Sequence, residues 1–112
     1  MTEQQIIKTL ATAVMGWRWI YHVELDLWGW HSPDEFRSGW NPLRNIADAF
    51  QVMDKLCIAL IPQAGNLPED MKYLAVFDDR PIGRKIEVFA KTAQEAICIV
   101  AIKVIKGREK ER

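Results

Sequence analysis

Three groups of residues in this 112-residue chain have the types and spacing to do chemistry. His22, Glu24 and Asp26 alternate with apolar neighbours, so an extended strand would carry them on one face, with His31, Asp34 and Glu35 in the segment that follows. Imidazoles and carboxylates are the groups of metal-dependent hydrolysis, although this spacing matches no defined ligand set and a solvated strand face accounts for it equally. Arg80, Arg84 and Lys85, with Lys72 and Lys91, could hold a phosphate; Asp78, Asp79 and Glu87 offset them, as on any solvated hairpin. Trp28, Trp30 and Trp40 fall within a segment rich in turn formers. Three exposed indoles would show roughly 450 to 750 Å², more than a soluble monomer usually leaves in one place. They either close the end of the core or bind something, and Trp is the residue most enriched at interface hot spots.

The composition narrows the classes. Basic and acidic residues balance at 15 each, which argues against a dedicated DNA or RNA binder, since a polyanion is usually met by a surplus of Lys and Arg. A Ser/His/Asp order, a P-loop and GxGxxG are all absent, so neither an enzyme nor a cofactor is expected. Cys57 and Cys98 lack metal or redox spacing and are expected as buried, reduced thiols. No apolar run is long enough to span a membrane and the first residues do not resemble a signal peptide, so the expected compartment is the cytoplasm.

Behind these residues the periodicity predicts one domain over 1–107 and a charged tail over 108–112. Thr2 and Gln5 form a capping box for a helix over about 3–15, with Gly16 as its left-handed stop. Trp17, Trp19, Tyr21, Val23, Leu25 and Leu27 alternate with polar residues, predicting one long strand with those six on its buried face. Asn41-Pro42 reads as the N-cap and first residue of a second helix over about 42–59, with a stripe of Leu43, Ile46, Phe50, Met53, Cys57 and Leu60. A surface loop at 62–68 follows, then β-rich runs at 73–77 and 85–90 that form an antiparallel hairpin. Thr92 and Glu95 open a last helix, with a stripe of Ala93, Ile97, Val100, Ala101 and Val104, that Gly107 ends. The expected order is α-β-α-β-β-α, an α/β fold whose three helices cover one three-stranded sheet.

Three stretches together resemble the phage ABA sandwich domain family: Val14-Met-Gly-Trp17, then Asn45-Ile-Ala-Asp-Ala-Phe50 with Val52-Met-Asp-Lys-Leu56, and Thr92-Ala-Gln-Glu-Ala-Ile-Cys98. The resemblance implies an α/β/α layered fold and a phage origin, but no activity. It is weakest over the Trp-rich segment at 27–40. The first functional expectation is therefore a non-catalytic phage accessory protein, suited to counter-defence, that binds a host protein or an identical subunit through Trp28, Trp30, Asp34, Glu35, Arg37 and Trp40. A second is an oligomeric sponge for a signalling nucleotide, with an indole on the base and Arg80, Arg84 or Lys85 on phosphate; it requires that both groups face one cavity. A metal-dependent hydrolase on His22, Glu24 and Asp26 is the third.

Overall fold

The computed structural model describes residues 1–110. The capping box forms as the sequence predicts: the Gln5 amide donates to Thr2 Oγ1 at 3.2 Å, and the Thr2 amide donates to Gln5 Oε1 at 2.8 Å. This starts α1 (Glu3–Thr9), which runs on as a π-helical turn, Leu10–Val14. Gly16 then takes φ +73°, a left-handed stop that a side chain would strain.

The long strand expected over 17–27 does not form. The chain instead folds back as a hairpin of β1 (Arg18–His22) and β2 (Leu27–His31), and a two-residue β3 (Phe36–Arg37) completes a three-stranded antiparallel sheet. Local hydrogen bonds make the turn. The Leu25 amide donates to His22 Nδ1 at 3.2 Å, the Asp26 amide reaches the Val23 carbonyl, and the Tyr21 hydroxyl donates to the Asp26 carboxylate. Asp26 sits at φ 54°, a left-handed conformation that aspartate tolerates better than most side chains.

The second helix also starts late. Asn41 Oδ1 accepts from the Leu43 amide in a single turn, but Asn45 then takes an extended conformation and its side chain accepts from the Ala47 and Asp48 amides. Asn45 is thus the cap of α2 (Ile46–Leu56), because a side-chain oxygen satisfies the first free amides only from an extended cap residue. Its inner face is Asp48, Ala49, Val52 and Leu56, whereas Ile46 and Phe50 of the expected stripe are exposed, as is Cys57.

A second antiparallel sheet has the order β4-β5-β6. Its strands are β4 (Ala59–Pro62), which the sequence reading missed, β5 (Tyr73–Asp78) and β6 (Lys85–Ala90), the last two forming the expected hairpin with Ala75 opposite Val88. A short 3-10 turn, Glu69–Met71, precedes β5. The Glu95 amide donates to Thr92 Oγ1 to start α3 (Ala93–Lys110), which continues through Gly107 rather than stopping there. The tail expected over 108–112 is therefore helical as far as 110, and residues 111–112 lie outside the described residues.

α3 is the centre of the molecule. Ala96, Ile97, Cys98, Val100, Ala101, Ile102, Val104 and Ile105 are all buried, covering far more of the helix circumference than one stripe. A helix apolar around most of its surface must be enclosed. The second sheet packs along one side of it and α2 with the π-helical turn along another. Three helices on one common sheet are thus replaced by a sheet, a central helix and an outer pair, with the smaller Trp-bearing sheet at one end. Ile61 and Phe89, on the sheet face away from Ala75 and Val88, remain exposed.

Candidate functional site

Side chains directly opposite in an antiparallel pair lie on one face, and the β1–β2 register sets Trp19 opposite Trp30 and Tyr21 opposite Trp28. One face of the hairpin is consequently a ladder of four aromatic rings. Trp19 meets Trp30 edge-on, with centroids 4.9 Å apart, stacks on Trp28 at 6.3 Å and 12°, and Trp28 touches Tyr21 at 5.5 Å. Trp30 is buried and anchors the ladder to the core, while Trp19 is 51% exposed, Trp28 56% and Tyr21 42%. The opposite face is built around Gly29, where Phe36 crosses the strand and lies tilted against His22, with centroids 4.9 Å apart. A Cβ at Gly29 would lie 2.5 Å from Phe36 Cζ and 2.6 Å from the Arg37 carbonyl oxygen. Glycine here is what lets β3 close on β2.

The hairpin tip adds exposed Val23 and Leu25. A radius of gyration of 15.2 Å, against about 13 Å for a compact chain of this length, and a long axis of 50 Å describe an elongated molecule. The three outer rings alone present on the order of 300 Å² of aromatic surface, already the size of the largest patch on many monomers.

The six expected contact residues divide. Trp28 is on the exposed ladder and Asp34 and Glu35 are exposed in the loop beyond it, but Trp30 and Trp40 are core residues. Trp40 packs edge-on against buried Trp17, centroids 5.0 Å apart, and its Nε1 donates to Gln51 Oε1 at 2.9 Å. Arg37 is an internal clamp: it lies over the Trp17 ring at 5.6 Å, donates to Gln51 Oε1, and pairs with Glu35 at 2.6 Å and Asp48 at 3.6 Å. Asp48, nearly buried, also accepts the Asn41 amide at 2.9 Å. Trp19 and Tyr21 belong to the exposed surface although their alternation predicted burial. The pattern identified their common face correctly, and only the absence of anything packed on that face makes it a surface.

The metal reading loses its geometry. His22 ends β1 while Glu24 and Asp26 lie in the turn, so no strand face carries all three. His22 Nδ1 accepts a backbone amide, and Asp26 accepts the Tyr21 hydroxyl, which raises the tyrosine pKa. Among the described residues no three His, Cys, Asp or Glu side chains are placed to hold a metal ion together. The basic group divides as well: Arg80 is held two-pronged by Asp78 and Lys85 pairs with Glu87 at 2.7 Å, leaving Arg84. Arg84 and Lys85 line a cavity with Lys103 and Lys106 of α3, and among the described residues no Trp borders it, so the aromatic and basic groups do not share this cavity.

The layered α/β fold and the three helical stretches named above coincide with a match to the family model of the phage ABA sandwich domain over residues 8–102. The chain belongs to the phage ABA sandwich domain family. The match covers most of the core and both sheets of this ABA sandwich protein. In three dimensions it is similar to a phage protein from Bacillus cereus ATCC 14579, known from a 2.0 Å crystal structure, with a TM-score of 0.60 and 26% identity over 90% of this chain and 89% of that one. No curated protein matches it. Among the described residues of this ABA sandwich chain, no helix is long and apolar enough to cross a membrane.

Proposed function

We propose that the chain is a non-catalytic binding protein that engages a host protein through the β1–β2 hairpin. The observation that carries this reading is the half-exposed ladder of Trp19, Tyr21 and Trp28. Rigid aromatic rings contribute large contact area for little lost side-chain freedom, which is why Trp and Tyr dominate interface energetics. The buried Trp30 fixes the ladder to the core, so its outer rings are presented in one geometry before a partner arrives. Asp34, exposed in the loop that follows, adds an acidic group for steering, while Glu35 is held by Arg37. Membership of a phage family supports a setting in the host cytoplasm, where counter-defence by occupying a host protein is a role that suits a small binding module.

The test is site-specific photo-crosslinking in host cells, with a benzophenone amino acid at position 28 and, as control, at exposed Ile82 on the far hairpin. A host protein joined through position 28 and absent at 82, and lost when Trp19 is changed to Ser, is the expected result. Equal labelling at both positions, or adducts only with a second copy of the chain, would overturn host-protein binding.

A further inference from the structure

We propose that Arg84, Lys103 and Lys106 form a binding site for the phosphate group of a small phosphorylated molecule, in the cleft between β6 and α3. The cleft has a volume of about 440 Å³ and is bordered by these three residues with Lys85, Ile86, Glu87 and Gly107. That is within the roughly 300 to 1,000 Å³ of small-ligand sites.

Charge is the first argument. Among the described residues the only carboxylate on the cleft wall, Glu87, is already 2.7 Å from Lys85 Nζ. Among the described residues Arg84, Lys103 and Lys106 have no ion-pair partner, and Asp79, in the small adjoining cavity beyond Arg84, pairs with none of them. Lys103 and Lys106 are three apart on one helix, hence neighbours on its surface, and like charges so placed repel. Three cations converge on one space, and an anion within it would relieve the repulsion.

Geometry is the second. Arg84 lies against α3 at Gly107, where an added Cβ would be 2.9 Å from Nη2. Glycine disfavours a helix interior, and at this position it admits the planar guanidinium alongside the helix. An arginine fork presents paired donors to phosphate oxygens, which a lysine cannot reproduce. Arg80 shows the contrast, since its fork is consumed by Asp78. Ile86 provides an apolar wall for whatever the phosphate is attached to. A small molecule rather than a polynucleotide suits a local cluster on a chain whose charges balance overall.

The experiment is a titration of the 15N-labelled full chain with inorganic phosphate and with adenosine 5′-monophosphate, at ionic strength held constant with sodium chloride. Saturable amide shifts confined to residues 84–87 and 103–107 are expected. The double variant Lys103→Gln/Lys106→Gln should weaken both probes at least tenfold while melting no lower than the parent chain. Gly107→Leu keeps every charge but displaces Arg84, and should weaken binding also; if it does not fold, Arg84→Lys tests the same fork. Linear shifts that sodium chloride reproduces, or unchanged affinity in the double variant, would overturn the site. So would a single-stranded DNA oligomer that binds more tightly than the mononucleotide and shifts amides well beyond the cleft.

Discussion

Trp19 and Trp28 stack across the β1–β2 pair with their ring planes 12° apart, and each ring is about half exposed. Two indoles in such an arrangement satisfy each other without being part of the core. Trp28→Ala should therefore cost on the order of 1 kcal/mol, the scale of an aromatic pair. Trp30→Ala and Trp40→Ala should each cost about 3 to 5 kcal/mol, as large-to-small changes in a core do. Urea denaturation of the three variants checks this: equal losses would place Trp28 in the core and remove the basis for a binding face.

Gly29 carries the crossing of Phe36. A methyl group there meets both a movable ring and an immovable backbone carbonyl, so Gly29→Ala should destabilise the chain by about 1 to 3 kcal/mol. Adding Phe36→Ala should not restore stability, because the Arg37 carbonyl oxygen at 2.6 Å remains in the way. Full recovery in the double variant would show that only the ring is responsible.

The Asp78 carboxyl is held down at about 2, first by the side-chain hydrogen bonds of Arg80 and then by the Arg80 backbone amide. A carboxyl depressed in the folded state contributes stability above its unfolded pKa, about 3.9, and loses it as pH falls through the folded value. The window is thus from about pH 4 down to about 2. A 13C carboxyl titration should find Asp78 still ionised at pH 3, and Arg80→Gln should move its midpoint up toward the ordinary carboxylate range. An Asp78 midpoint near 4 in the parent chain would contradict the pairing.

The two cysteines should react differently. Burial pushes the Cys98 thiol up to about 12, whereas Cys57 is exposed at the end of α2. Since the thiolate is the nucleophile, iodoacetamide at pH 8 should label the native chain once, at Cys57, and twice in guanidinium. Rapid double labelling of the native chain would mean that α3 opens far more readily than a central helix should.

Much of the local structure is legible in the sequence because its causes are local. Thr2 and Gln5, Gly16, Thr92 and Glu95, and the β5–β6 hairpin act through neighbours a few residues away, and they occur where their residue types predict. The failures share a reason too. Alternation from Trp17 to Leu27 is compatible with one strand or with a hairpin, and the choice falls to a turn made by His22 and Asp26. Asn41-Pro42 is a good helix start that loses to a second cap at Asn45 four residues later.

The candidate site was less legible, because exposure is a property of what packs on a residue and not of the residue itself. Trp28, Asp34, Glu35 and Arg84 are visible as types; alternation puts Trp19 and Tyr21 on a buried face, and Lys103 and Lys106 lie on a helix about twenty residues from Arg84. Their spacing of three was the available signal, but nothing in it says that α3 lies against β6.

By itself, then, the amino-acid sequence determined the class of fold, the caps of the first and last helices and the second hairpin, since these follow from backbone geometry and short-range hydrogen bonds. Tertiary structure alone decided that α3 is enclosed on more than one side, that Trp30 and Trp40 are buried while Trp19 and Trp28 face outward, and that Arg84 meets two lysines. Those outcomes depend on which surfaces find a partner, and burial is settled only when distant segments meet.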